Sequence, residues 1–596
     1  MLSYMNPFCK LILYLIIPQA LAISAANASE PRRLATGNLS VDEIMRSPIG
    51  AHPDLGYGSH PPAVESLRGP VAQGLAGYED YVAWGMIEPH EGQFDWSHHD
   101  AVQKNLAAAG LPYTPYIWCH IPPTWLRDDP RASLMRCNAH GVATLMFSIF
   151  DPRTLDWYEH FYRALHEHFG DRISEVYACI LGPYGEGNYP LPYSDFVLNL
   201  GHKHEGYWCG DEHALPAFRA AMQAKYGEIG QLNEAWGTSH TSFKLIEFPD
   251  EITGQKLPSF VERSAQDRRR WLDFIAWYHQ ALIDFADGSI ERVVKIFGRE
   301  RVATKPGGNA GWMNPLSWGT YAPGYAKIAG RRGIVVQTAD AHGAYWADKW
   351  SATAYRHYSV PFRTEGAGAM DRRTFIRRIF ADASCGAEGL FTYEIDKHIA
   401  DAQRWLHLYD GQAGITDIAL LAPTTDYYLA ADVMPIIQTG MKLLDLVDYD
   451  VLDELLVRDE ALPKYRLVAS IDARIIEREV IDRLVAWVES GGTLIVSSPH
   501  TITDVEGRDD HPFNTSASIG HGRIIRLAGD YDALTAALVG HAHPLDGVAD
   551  NVWLTEFPDR LLLINLGDAP AQKRVTWRGR EHQLELPPME IIEVKG

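Results

Sequence analysis

Cysteine is scarce in this chain, with six in 596 residues, and one of them, Cys9, lies in the first 28. Cys119, Cys137, Cys179, Cys209 and Cys385 remain, an odd number at wide spacings, and no C-x-x-C pair occurs. That excludes a disulfide scaffold and the common zinc modules, although export would allow one bridge. Positive charge is also short, 54 Lys and Arg against 76 Asp and Glu, for a net charge of −22. Phosphate backbones and anionic lipid surfaces are repelled by such a chain, so no nucleic-acid or membrane partner is expected, and a neutral substrate suits it. Long apolar runs are missing as well. Leu11 to Ala22 is too short to span a bilayer and no later run is long enough. With Lys10 before it and Ala26-Asn27-Ala28 after it, that stretch makes residues 1–28 read as a secretory signal. The mature protein is expected to be secreted or periplasmic. Repeats and low-complexity segments are absent too.

What the chain does have is length, aromatics and a rhythm. Its 596 residues exceed one hydrophobic core, and 17 Trp and 28 Tyr supply rings for cores and for sugar-binding clefts alike. From about residue 70 to 408, β-prone segments alternate with amphipathic helices. Ser97 reads as the cap of a helix through Ala109. Trp157, Phe161, Leu165 and Phe169 form a helical stripe, followed by a buried-type strand at Val176–Leu181. A long helix is expected from Ser264 to Phe297, then a strand at Val302–Lys305. This rhythm predicts a parallel α/β architecture, a (β/α)8 barrel at residues 29–410. A second α/β unit is expected at 411–530, with strands near 417–422, 467–471 and 493–498. Its Gly491-Gly492 ends a helix rather than opening one, and so reads as a turn rather than a phosphate cradle. The tail, 531–596, reads as a small β-sandwich.

Two isolated glutamates end β-prone segments and are followed at once by glycine: Glu186 in Gly182-Pro183-Tyr184-Gly185-Glu186-Gly187, and Glu365 in Arg363-Thr364-Glu365-Gly366. Barrel enzymes keep their chemistry at C-terminal strand ends. Glycosidic cleavage needs two carboxyls, one to protonate the leaving oxygen and one to attack carbon or activate water. Glu186 is therefore the candidate acid and Glu365 the candidate nucleophile or base. Glu394, ending Phe391-Thr392-Tyr393, is the fallback partner and otherwise a substrate ligand.

Several segments carry a family resemblance. Trp84 to Trp96, with Glu88-Pro89 and Glu91-Gly92, resembles a segment of the clan A barrel glycosidases. Pro122-Pro123-Thr124-Trp125-Leu126 and Leu232-Asn233-Glu234-Ala235-Trp236-Gly237-Thr238 resemble family 42 β-galactosidases. That resemblance implies a flavodoxin-like middle domain, a C-terminal β-domain and a homo-oligomer, a trimer by analogy. Retaining members of the clan place Asn before the acid; here Gly185 stands there. Gly182 to Glu186 followed by Tyr189-Pro190 is instead similar to the acid motif of family 14 β-amylases, which invert, and Lys305 through Gly311-Trp312 resembles their sixth strand. A retaining β-glycosidase acting on an oligo- or polysaccharide is the expectation. An inverting β-amylase-like hydrolase is the alternative, and an inactive carbohydrate-binding protein is the rival from another class.

Candidate sugar contacts are Trp84, Trp118, Trp125, Trp312 and Trp346 as platforms, with His120, Tyr193 and Lys305 as hydroxyl ligands. Each tryptophan taken singly is equally well a core residue. Glu88 reads as a buried acceptor that positions its loop. Trp125, Trp312 and Trp346 are expected to line extra subsites that make good the donor missing at Gly185. His202, His204, Glu205, Cys209, Asp211 and His213 cluster in one loop, but at no standard metal spacing. No metal and no cofactor are expected.

Overall fold

The computed structural model describes residues 34–38, 61–191, 204–253, 256–307, 314–340, 345–366, 370–546 and 551–596. Among the described residues, eleven strands precede residue 400: β1 (Leu34–Asn38), β2 (Leu75–Gly77), β3 (Glu79–Ala83), β4 (Thr114–Trp118), β5 (Leu134–Arg136), β6 (Ala143–Phe147), β7 (Val176–Ala178), β8 (Val302–Thr304), β9 (Val335–Asp340), β10 (Phe362–Gly366) and β11 (Gly389–Tyr393). Nine of them form one sheet in the order β2-β1-β11-β10-β9-β8-β7-β4-β3. Every pairing in it is parallel. Only Tyr78 separates β2 from β3, and these two strands hold opposite ends of the order. The sheet therefore closes on itself as a barrel in which β2 and β3 share one position. β5 and β6 form a separate antiparallel hairpin above it. The sequence rhythm begins near residue 70, yet the first barrel strand is β1. Its Leu-Ala-Thr-Gly-Asn carries no β-branched or aromatic pattern beyond one Thr, so periodicity gives no signal there.

Helices cover the barrel as their apolar faces require. Thr154–Phe169 buries Tyr158, Phe161, Leu165 and Phe169. Ala265–Phe297 buries one face from Trp271 to Phe297, and Ser264 caps it by accepting from the Asp267 N–H at 3.1 Å. Ser97, expected as a cap, is instead the first helical residue, and its own N–H donates to Asp95 Oδ1.

The second unit holds parallel strands Ile418–Ala422, Asp450–Asp453, Leu467–Ile471, Thr493–Ser497 and Gly522–Leu527, with Ala517–Ile519 antiparallel at the edge. Counted by first appearance, the parallel strands lie in the order 2-1-3-4-5, which is flavodoxin-like. The tail opens with a helix, Tyr531–Leu538, that the sandwich expectation omits. After it, strands Val552–Glu556, Arg560–Asn565 and Ile591–Lys595 pack Leu554, Leu561 and Val594 against Val575, Trp577 and Leu586 of a two-stranded sheet.

Candidate active site

The loop after β7 folds tightly back on itself. Ile180 N–H donates to Gly185 O at 2.7 Å and Leu181 N–H to Glu186 O at 3.0 Å, which turns Glu186 over the barrel mouth. Gly185 sits at φ +76°, and a Cβ there would lie 3.2 Å from Ile117 O and Trp118 Cδ1 and 3.3 Å from Cys179 Sγ. Left-handed backbone and this crowding together make the position a glycine's. The loop is then stitched to the segment after β8. Gly187 N–H donates to Lys305 O at 3.2 Å, and a Cβ on Gly307 would come within 2.6 Å of Glu186 Oε2. Glu186 is half-buried. Burial and the adjacent Glu365 charge push its carboxyl up to about 8, with Lys305 opposing, Glu79 adding to the rise, and a hydrogen bond from Asn188 opposing.

Glu365 is the fourth residue of β10 and is almost fully buried. Its Oε2 pairs with Lys305 Nζ at 2.7 Å and accepts from Gln337 Nε2 at 3.1 Å, while Oε1 accepts from Tyr393 OH at 3.0 Å. A third carboxylate, Glu79 at the start of β3, shares two of these donors. Lys305 Nζ lies 2.7 Å from Glu79 Oε2, and Gln337 Nε2 lies 2.7 Å from Glu79 Oε1. Burial raises the Glu79 carboxyl, Lys305 opposes and Glu365 raises it further. Burial alone would discharge Lys305, but Glu365 and Glu79 outweigh it and hold the ammonium charged. The rings of Tyr116, Tyr177 and Phe391 close around that ammonium at 4.2–5.1 Å.

The structure thus brings Glu186, Glu365 and Lys305 together. The other expected site residues that the structure describes do not bond to this cluster. Trp84 is fully buried, stacked between Phe147 and Phe161 with its Nε1 on Glu88, and is a core residue rather than a sugar platform. Glu88 also accepts from Gly92 N–H and faces His160, which makes it the anchor of that loop. His120 is wholly buried, 3.4 Å from Pro183 O and 3.4 Å from Cys179 Sγ; it braces the Glu186 loop and offers nothing to a substrate. Trp346 packs against Gly440 and Tyr449 of the second unit, at an internal joint and not in a subsite. Trp118 is buried among Tyr81, Tyr116 and Tyr184. Trp125 keeps an exposed part, with its Nε1 on Glu88 O and Arg131 over its ring. Glu394 turns away: it adopts φ 51° at the end of β11 and pairs with Lys397 at 2.7 Å. Tyr193, Trp312 and His202 lie outside the described residues. In the loop cluster, Glu205 accepts from Ser317 Oγ and Trp318 Nε1, and Asp211 from His213 N–H. Among the described residues, Asp80, His98 and His99 come within metal-ligand spacing. Asp80 there accepts from Tyr113 OH and meets His99 Nδ1 at 2.7 Å, bonds that tie β3 to the segment entering β4 and to a neighbouring helix.

Sequence reasoning missed Glu79, Gln337 and Tyr393. Strand alternation holds the signal for Tyr393: Phe391 faces the barrel interior, so Tyr393 does too and Glu394 does not. Glu79 and Gln337 each interrupt a β-prone run, Tyr78 to Ala83 and Val335 to Ala339, at positions that a buried strand fills with apolar residues.

This architecture is shared with multidomain barrel glycoside hydrolases. A catalytic mutant of a family 42 β-galactosidase from G. stearothermophilus superposes with a TM-score of 0.68, covering 95% of this chain and 98% of that one at 13% identity. The sequence relationship points to a second group. The profile of Glycosyl hydrolase family 14 matches residues 54–325, and the β-amylase of Cytobacillus firmus is 27% identical over 294 residues, 46% of this chain and 59% of that protein. The catalytic domain of a Paenibacillus polymyxa β-amylase has a TM-score of 0.50 at 19% identity, covering 63% of this chain and 98% of that one. The matches span less than two thirds of the length of the curated β-amylases. The chain is related to glycoside hydrolases: it is similar in sequence to family 14 over residues 54–325, a stretch that holds Glu186 and Lys305, and similar in fold to the family 42 β-galactosidases.

Proposed function

We propose that this protein hydrolyses O-glycosidic bonds of an oligosaccharide or polysaccharide, with Glu186 as general acid and Glu365 as nucleophile. The observation that carries this reading is the pairing of unlike carboxyls at one barrel mouth. Glu186 is half-buried, with burial and the Glu365 charge pushing its carboxyl up to about 8, while Glu365 is gripped on both oxygens by Lys305, Gln337 and Tyr393. In the retaining course Glu365 attacks the anomeric carbon as the bond to the leaving oxygen breaks, and Glu186 gives that oxygen its proton. Water then releases the sugar, with Glu186 acting as base. The family 14 match across the Glu186 loop favours a second, inverting course, in which Glu365 activates water instead.

Proton NMR of the first-formed anomer, during hydrolysis of aryl glycosides and oligosaccharides, separates the two courses. Net retention supports the first and inversion the second. Hydrolysis of no glycoside would overturn both. Glu186→Ala is expected to keep activity on substrates with very good leaving groups and to yield a glycosyl azide with added azide, while Glu365→Ala loses activity on all of them. Because the acid must be protonated, kcat/KM is expected to fall as pH rises through about 8.

No amide side chain precedes Glu186, so the donor that the clan directs at a neighbouring sugar hydroxyl must come from elsewhere. Remote sugar units would then supply the binding energy, and kcat/KM should rise along an oligosaccharide series relative to 4-nitrophenyl β-galactoside. The apolar stretch in residues 1–28 supports export, which N-terminal sequencing of the mature protein tests.

A further inference from the structure

Lys305 is a buried cation between two buried carboxylates, and in either course above Glu365 loses its negative charge, as an ester or as an acid. A lysine paired only with Glu365 would then be a lone, uncompensated charge inside the barrel, which is strongly unfavourable. The structure supplies a second partner. Glu79 meets Lys305 Nζ from β3 at the same 2.7 Å as Glu365 does from β10, and it holds Gln337 Nε2 with its other oxygen. A further path joins the two acids through hydroxyls, since Tyr81 OH donates to Glu79 Oε2 at 3.4 Å and lies 3.3 Å from Tyr393 OH, which donates to Glu365. Below this network a cavity of about 240 Å³ at the N-terminal end of the barrel is lined by Glu79, Thr114, Tyr177, Glu175 and Arg363.

We propose that Glu79 is a positioning residue for the reaction: it keeps Lys305 and Gln337 paired and aimed while Glu365 changes charge. Two features set it apart from a structural buried acid. It is bonded to two of the donors that also hold Glu365, Lys305 and Gln337, and it approaches them from another wall of the barrel. The proposal rests on the reading of Glu365 as a reacting carboxylate.

The test uses the full-length enzyme with Glu79→Ala, Glu79→Gln and, in parallel, Glu365→Ala. Glu79→Ala is expected to lower kcat about a hundredfold with KM little changed, since a misaimed group away from the bond being broken costs on that order. Formate, small enough for the cavity beside residue 79, is expected to restore part of that kcat. Glu79→Gln keeps an acceptor for Lys305 but no charge, and is expected to fold with an unchanged melting temperature and an intermediate kcat. The charged groups facing Glu79 are Lys305, Glu365 and, across the cavity below it, Arg363 with Glu175; Glu79 itself raises the Glu186 carboxyl. The basic limb of the kcat/KM profile should therefore move to lower pH in Glu79→Gln. A wild-type kcat and pH profile in both variants would overturn the proposal. So would a loss that follows a lowered melting temperature, with unmoved limbs and no response to formate, because that is a packing defect. Activity persisting in Glu365→Ala would instead overturn the reading beneath it, and this proposal with it.

Discussion

The centre of the barrel and the two central strands of the second sheet are equally closed to water, yet they are filled in opposite ways. Strands Ile418–Ala422 and Leu467–Ile471 of the second sheet are buried along their whole length, and Ser470 is their one polar residue. The barrel centre is as dry, but it holds Glu79, Lys305, Gln337 and Glu365, whose charges and hydrogen bonds satisfy one another. Apolar burial stabilises by area and is non-directional, whereas a buried ionic network must be complete to be tolerable at all. Where a protein keeps the more demanding arrangement, function is the usual reason. Under the proposed function, this is the contrast expected between a working barrel and a supporting sheet.

Removing the cation tests the contrast most strongly. Lys305→Met leaves Glu79 and Glu365 facing each other without a counter-charge, and breaking a buried pair in this way costs about 3–5 kcal/mol. A large drop in the urea midpoint together with loss of activity is expected. Unchanged stability would mean that the barrel network is not the tight unit described above. Leu420→Ala in the second sheet should cost about 3 kcal/mol by opening a cavity at a fully buried position. The folded fraction of that variant should keep a wild-type kcat, and a fall in kcat would break the division of labour between the two regions.

Gly185→Ala sharpens the boundary of the working part. It forces a Cβ into left-handed backbone against Ile117 O and Trp118, at about 1–3 kcal/mol, and should lower kcat more than it lowers the melting temperature. Equal effects would make Gly185 a folding residue only. The smallest effect expected is at the joint between the two regions, where Asp450 meets Arg356 of the barrel and Lys464 of its own unit. Burial would raise the Asp450 carboxyl, but the two cations win and hold it at about 2. A depressed carboxylate adds stability above its unfolded value of about 3.9, and that stability is lost as pH falls toward the folded value. Thermal melts of the wild type and of Asp450→Asn should therefore converge between about pH 4 and pH 2. A constant difference across that range would remove the ion pair from the joint.

Much of this was legible in sequence because it is local. The helical stripe through Phe161 and Leu165, the strand-like runs near Val302 and Leu467, and a glutamate bracketed by glycines each follow from periodicity or backbone freedom over a few residues. The same locality misled at the tryptophans, since a ring at a strand end reads alike whether it faces a sugar or a helix. Trp84 and Trp346 proved to be packing residues for that reason.

Sequence by itself determined the barrel rhythm, the aliphatic second sheet and the presence of Glu186, Glu365 and Lys305 at strand ends. Only the tertiary structure decided which of these groups share a charge. Glu79 and Lys305 are 226 residues apart and meet because the parallel sheet closes, and the alternation of β11 hands the inner position to Tyr393 instead of Glu394. An ion pair forms wherever barrel closure brings its partners within a few ångströms, and no local pattern along the chain encodes that distance.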